Sequence, residues 1–348
     1  MKRGFLALAV GMAVVFASFW PATVRAADPG ALQLTTSPLP ISLVAKPGET
    51  VSTELRIRNS GNETELLKVG LMKFSAYGEE GKPQLQDREP GDDYFDWVQF
   101  SETQFKAIPG EWQTVKMTIK IPKTAALGYY YAVTFSRANP GLATGPRQQT
   151  VRGGTATLVL LEAFSPNAKR ELKLSEFRVE KRSYEFLPAR FTVKLRNTGN
   201  IHTAPSGTIF ISRGGKQIGA IDINATRGNI LPQSNRIFTS QWDDGFPVYK
   251  TKEAGGAIVL KNGQPVYSLK WDASKFNRLR FGKYTAHLVA VYDNGKQDVP
   301  LEASASFWVI PWRLILLIIA IPVVPATLVY LIMRWRFKRR RNRGGRRV

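Results

Sequence analysis

An all-β chain of two tandem Ig-like β-sandwich domains followed by a single transmembrane helix is predicted by three observations. They are short alternating segments closed by Gly, Pro and Asn, a pair of markers that recurs in the same order, and one long uncharged run near the C-terminus. The segments VSTELRIRN, TVKMTIKIP, ARFTVKLRN and TAHLVAVYD carry the first. In VSTELRIRN, Val51, Leu55 and Ile57 share one face, while Glu54, Arg56 and Arg58 share the other, as in a half-buried strand. Pro and Gly recur too often for long helices, which leaves an antiparallel sandwich as the natural way to bury such strands.

The markers are IRNSGN at 57–62 and LRNTGN at 195–200, each closing a strand with Asn and Gly suited to a tight turn. Each is followed by an aromatic strand behind a glycine, Leu127-Gly128-Tyr129 in one case and Phe281-Gly282-Lys283-Tyr284 in the other. Two related modules follow, at 41–166 and 167–311, joined by the short junction SPNAKR, with TATLVLLEAF as the last strand of the first. Residues 27–40 read as a flexible lead-in. From Asn59 to Gly128 is 69 residues and from Asn197 to Gly282 is 85, so the second module carries an insertion. An added hairpin at about 245–275, turning at Asn262-Gly263, accounts for it, as a ligand-facing feature or as decoration.

The two ends supply a topology. Lys2 and Arg3, the apolar run from Phe5 to Trp20 and Val24-x-Ala26 predict a signal peptide at 1–26. Leu314 to Met333 is 20 residues without a charge, and a helix of that length crosses a bilayer core of about 30 Å. Residues 334–348 hold nine basic and no acidic side chains, which predicts a cytoplasmic tail and a type I orientation in the cell membrane. The formal net charge is +22, of which the tail holds +9 and Lys2, Arg3 and Arg25 hold +3. The remainder, spread through both modules, could attract an anionic polymer, and nucleic acid is not expected as a partner.

No familiar site chemistry is present. The chain has no cysteine and only two histidines, His202 and His287, so no zinc set or Cys-His pair can form. Nor does it hold a G-x-S-x-G elbow or a P-loop. Glu79-Glu80, Asp92-Asp93, Asp96 and Asp243-Asp244 are acidic without a calcium-loop spacing and read as solvated turns. Tyr94-Phe95-Asp96-Trp97 and Tyr129-Tyr130-Tyr131 could stack on sugars, although alternation sends half of each group inward. Trp308 and Trp312 flank the apolar run as interfacial anchors. No catalytic, cofactor-binding or metal residue is predicted, no cofactor is expected, and ligand-binding residues stay unassigned.

With ISLVAKPGETVSTELRIRNSGN, DWVQF, AIPGEWQTVKMTIKIP and LGYYYAVTFS in place, the first module resembles the N-terminal domain of the WxL-interacting proteins of Gram-positive bacteria. The resemblance implies two sandwich domains, a C-terminal span, peptidoglycan binding and docking of a secreted surface protein. The expected function is a membrane-anchored surface scaffold contacting wall polymer, a secreted protein, or both. The alternative is a membrane-tethered extracytoplasmic chaperone or assembly factor that recognises strands at a sheet edge.

Overall fold

The computed structural model describes residues 32–138 and 154–344, with side chains as far as Arg336. The expected signal peptide, residues 27–31 and the last four residues of the tail lie outside the described residues.

The first module contains β1 (Leu34–Ser37), β2 (Ile41–Ala45), β3 (Thr50–Asn59), β4 (Glu65–Tyr77), β5 (Lys82–Gln86), β6 (Val98–Phe100), β7 (Gln104–Ala107), β8 (Trp112–Lys120), β9 (Leu127–Arg137) and β10 (Gly154–Ala163). One sheet runs β1-β3-β8-β6 and the other β2-β10-β9-β4-β5, with β7 beside β4. Alternation decides which side chains meet between them. Leu55 and Ile57 of β3 are buried while Glu54, Arg56 and Arg58 are exposed. They join Met117, Ile119, Tyr131, Val133, Phe135 and Leu161 in one core. Each fully buried side chain of this size contributes about 1.5–3 kcal/mol relative to exposure. Leu34–Ser37, inside the stretch expected to be a flexible lead-in, is instead an edge strand paired antiparallel with Arg56–Asn59. Pro38 and Pro40 obscure it in the sequence, because they sit where the chain leaves this sheet and crosses to the other.

The second module repeats the plan with β11 (Leu172–Val179), β12 (Ser183–Tyr184), β13 (Ala189–Asn197), β14 (Ser206–Arg213), β15 (Lys216–Ile223) and β16 (Asn235–Trp242). An arm then intervenes, made of β17 (Val248–Thr251), β18 (Glu253–Ala254), β19 (Ala257–Ile258), β20 (Leu260–Lys261), β21 (Gln264–Pro265) and β22 (Tyr267–Lys270). After it come β23 (Gly282–Asp293) and β24 (Asp298–Val309). The sheets are β11-β13-β16 and β12-β24-β23-β14-β15. Position by position this matches β1-β3-β8 and β2-β10-β9-β4-β5, down to the short parallel pairs β2 with β10 and β12 with β24. In the arm, β17 pairs β22, and Asn262 and Gly263 both take positive φ in a two-residue turn.

The recurrent Asn is the clearest link from sequence to fold. Asn59 donates from Nδ2 to the carbonyls of Glu63 (2.7 Å) and Ala107 (2.9 Å) and accepts from the Gly61 N–H at 2.9 Å. Asn197 does the same with Ile201 (2.7 Å), Ile230 (2.9 Å) and Gly199 (2.9 Å). Both side chains are buried, so one amide in each module satisfies backbone groups at a strand end, all of them buried around Asn197 and partly buried around Asn59.

The last described element is α1 (Trp312–Gly344). Trp312–Arg336 is long and apolar enough to cross a membrane, and none of its most apolar stretch is buried against the sandwiches. The helix continues into the basic tail, so residues 334–344 are helical.

Candidate functional site

TATLVLLEAF is apolar on both faces, and β10 shows why. Val159, Leu161 and Ala163 point into the first core, while Leu158 and Leu160 lie on the outer face with Phe74, Ala132, Tyr130 and Leu85. Leu231 of the second module packs against that outer cluster. The first module's second sheet is therefore covered on both sides, the outer side by its neighbour.

Polar contacts fix this seam at both margins. At the tip of the β4–β5 hairpin, the Ile237 N–H donates to the Glu79 carbonyl at 2.6 Å. The Glu79 carboxylate accepts from Lys194 Nζ at 2.6 Å and from Asn235 Nδ2 at 3.1 Å. Those bonds, chiefly the one from Lys194, hold it below the ordinary carboxylate range. At the other margin Arg170, in the junction, pairs with the nearly buried Glu162. His202 is buried beside them, edge-on to Tyr130 with ring centroids 5.7 Å apart. Burial pushes His202 below its ordinary value of 6.5.

The sign of that shift gives a pH prediction. The unfolded chain takes up this proton more readily than the folded one, so the stabilising effect of neutral His202 is full above about 6.5 and falls as the pH drops below it. Glu79 works in the other pH range, because its depressed value matters only below the ordinary carboxylate 4.5. Between about pH 7.5 and 5.5 the urea midpoint should therefore decline, and His202→Phe should flatten the decline. An unchanged slope in the variant would assign the effect to another group.

Between the modules the seam opens into a cleft of about 540 Å³. Leu158, Leu160, Phe74 and Leu85 line one wall and Ile230 and Leu231 the other. Arg236 stands at its edge. Its guanidinium donates to the Asn229 carbonyl at 2.7 Å and lies over the Phe238 ring at 5.3 Å. Gly81 and Gly228 flank it so closely that a Cβ on either would come within 2.5 Å of the guanidinium. Burial lowers the Arg236 pKa. Among the described residues no carboxylate pairs with it, so the cleft holds a fixed positive charge beside an apolar floor.

The same cleft borders an unfilled sheet edge. β2 pairs with β10 only from Val159 to Ala163, whereas β9 pairs with β10 from Gly154 onward. Among the described residues Gly154–Leu158 thus has a paired strand on one side only, because the chain before β2 has crossed to the other sheet as β1. Ala156 and Leu158 of this edge line the cleft, as does Leu39, 58% exposed. Among the described residues, the hydroxyls of Thr36 on β1 and Thr157 on β10 are buried without hydrogen-bond partners. An edge of free N–H and C=O groups above an apolar groove is a template for an added strand.

Of the residues singled out in the sequence, Glu79, His202 and Tyr130 lie at the seam and the others lie elsewhere. Tyr94 packs against Tyr129 and Tyr131, and Trp97 against Tyr129, with centroids 4.7–5.4 Å apart, half-buried at the margin of the first module's core. Of the tyrosine triplet, Tyr130 faces the seam. Asp92 pairs with Lys73 at 2.9 Å, Asp96 with Arg88 at 2.6 Å and Asp244 with Arg280 at 2.7 Å. His287 lies on the sheet surface against Ser304 at 3.0 Å. Among the described residues no three His, Asp or Glu side chains converge on one point.

No family model matches the chain, and no curated protein matches it. Solved structures similar to it include a chain of the CsuC–CsuE chaperone–tip adhesion subunit pre-assembly complex of Acinetobacter baumannii, at 13% identity and TM-score 0.35 over 78% of this chain and 97% of that one. The class 5 fimbriae chaperone CfaA is similar at 17% identity and TM-score 0.33, over 69% and 100% of the two chains. The Pseudomonas aeruginosa CupB2 chaperone is similar at 8% and 0.33, over 79% and 100%. Scores this low leave function to be read from the chain's own surfaces. These findings overturn the resemblance to WxL-interacting proteins, since no family model matches and the similar structures are those of fimbrial chaperones. The motifs that suggested it are turn and strand-end chemistry: Gly48 takes φ +89° after Pro47, and Asn59 ties down a strand end. Any sandwich module can use both devices.

Proposed function

We propose that this chain is a membrane-tethered binding protein, chaperone-like or assembly-promoting and not catalytic, with two Ig-like modules whose cleft accepts an extended segment of a secreted protein. The observation that carries the reading is the edge Gly154–Leu158, unpaired among the described residues, which opens onto an apolar cleft. A strand laid there would satisfy the free backbone groups of β10 and place alternate apolar side chains on Leu158, Leu160 and Phe74. A carboxylate on that segment would find Arg236. With the apolar stretch of α1 in the membrane, the nine basic residues at 334–348 favour a cytoplasmic C-terminus, which puts both modules outside.

Binding of peptides with alternating apolar residues tests this. Such peptides should bind the purified protein more tightly than scrambled ones, and Leu158→Lys should weaken binding about tenfold or more, equivalent to about 1.4 kcal/mol per tenfold. Equal affinity of wild type and variant would remove the cleft from the binding surface. An epitope tag after Val348 that external protease digests on intact cells would reverse the orientation.

A further inference from the structure

The arm between β16 and β23 carries an apolar surface that neither module covers. Trp271 is 59% exposed, Phe276 68% and Phe281 48%, and Leu279 is exposed beside them. They are gathered, not scattered. The buried Phe246 ring contacts Trp271 at 5.7 Å and Phe276 at 5.6 Å, and the Phe246 N–H donates to the Arg278 carbonyl at 3.0 Å. The patch therefore has a fixed base.

That base stands where α1 begins. Gly282, next to Phe281, pairs with Val309, three residues before Trp312. With strands about 4.8 Å apart, Phe281 lies within roughly 10 Å of the helix start. Trp308 and Trp312, both about half exposed, continue the aromatic surface onto the helix. Charge points the same way. Residues 245–281 hold seven Lys and Arg against two acidic side chains, and Lys250, Lys252, Lys261, Lys270 and Lys275 are exposed.

We propose that the arm is a membrane-lying apron: Trp271, Phe276, Leu279 and Phe281 enter the headgroup region of the bilayer that α1 crosses, and the lysines contact anionic lipid. Aromatic side chains prefer that interface, and basic ones are held there by negative headgroups. The partner is the lipid surface because the patch is continuous with the span. Docking there would fix the second module's tilt and with it the direction in which the cleft faces. The proposal rests on α1 being a span.

The chain has no cysteine, so single cysteines can carry an environment-sensitive fluorophore without a background. Asn277→Cys places the label in the patch and spares its aromatic residues. Tyr77→Cys marks the first module and Ile319→Cys the helix. The full chain is reconstituted in nanodiscs of phosphatidylcholine with phosphatidylglycerol. The label at 277 should be roughly threefold less accessible to iodide than that at 77 and should be quenched by shallow spin-labelled lipid. Phe276→Ser or omission of phosphatidylglycerol should restore much of the iodide access. Equal accessibility at 277 and 77, with 319 quenched by deep spin-labelled lipid, would overturn the apron and leave the span standing. A label at 319 that no lipid quencher reaches would overturn the span, and the apron with it.

Discussion

Replacing Asn197 with alanine should destabilise the second sandwich by about 2–5 kcal/mol, because it strands buried backbone groups that no water can reach. The Nδ2 group bridges the carbonyls of Ile201 and Ile230, and Oδ1 takes the Gly199 N–H, at a site with no exposure. Asn197→Asp should be at least as costly, since a carboxylate cannot donate to either carbonyl and carries charge into the core. Asn59→Ala should do the same to the first sandwich through Glu63, Ala107 and Gly61. Asn262→Ala, in an exposed turn, should cost far less. Urea titration with amide exchange read separately in β3 and β13 checks all four. A loss below about 0.5 kcal/mol for Asn197→Ala would mean that the freed groups find other partners.

Tyr131→Ala should cost the first sandwich about 3–5 kcal/mol, in the range of large aromatic truncations in cores. The ring is wholly buried, lies 5.2 Å from Tyr94 and 6.3 Å from Phe95, and its hydroxyl donates to the Tyr94 carbonyl at 3.1 Å. Tyr131→Phe loses only that bond and should cost about 0.5–1.5 kcal/mol. This pair separates a packing role from a binding one. If Tyr131→Ala left stability intact but abolished binding to a polysaccharide, the aromatic cluster would be a ligand platform after all.

Much of the fold is legible in the sequence because its signals are local. Alternation in VSTELRIRN and ARFTVKLRN places Leu55, Ile57, Phe191, Val193 and Leu195 in the cores, and the two N-x-G strand ends mark equivalent corners of the duplicated plan. The apolar run near the C-terminus is similarly plain. β1 is less so, because its four residues are followed at once by Pro38 and Pro40. The candidate site is harder still. An unpaired edge depends on which strand β2 leaves uncovered, and the cleft needs Leu231 and Arg236 brought from a module some 75 residues farther along the chain than Leu158. One signal was available: LVLL at 158–161 does not alternate, which implies cover on both faces of that strand. The even charge excess gives no comparable pointer, since Glu79, Glu162 and Asp244 are engaged by basic partners only in three dimensions.

Strand addition at β10 makes one measurement decisive: amide hydrogen exchange of the full chain with and without a saturating peptide of alternating apolar residues. Amides within Gly154–Leu158 that face away from β9 should slow by an order of magnitude or more when the peptide binds, while those of β6 and β15, edge strands that contribute no side chain to the cleft, stay unchanged. Binding without added protection in 154–158, or protection concentrated at another edge, would contradict the account.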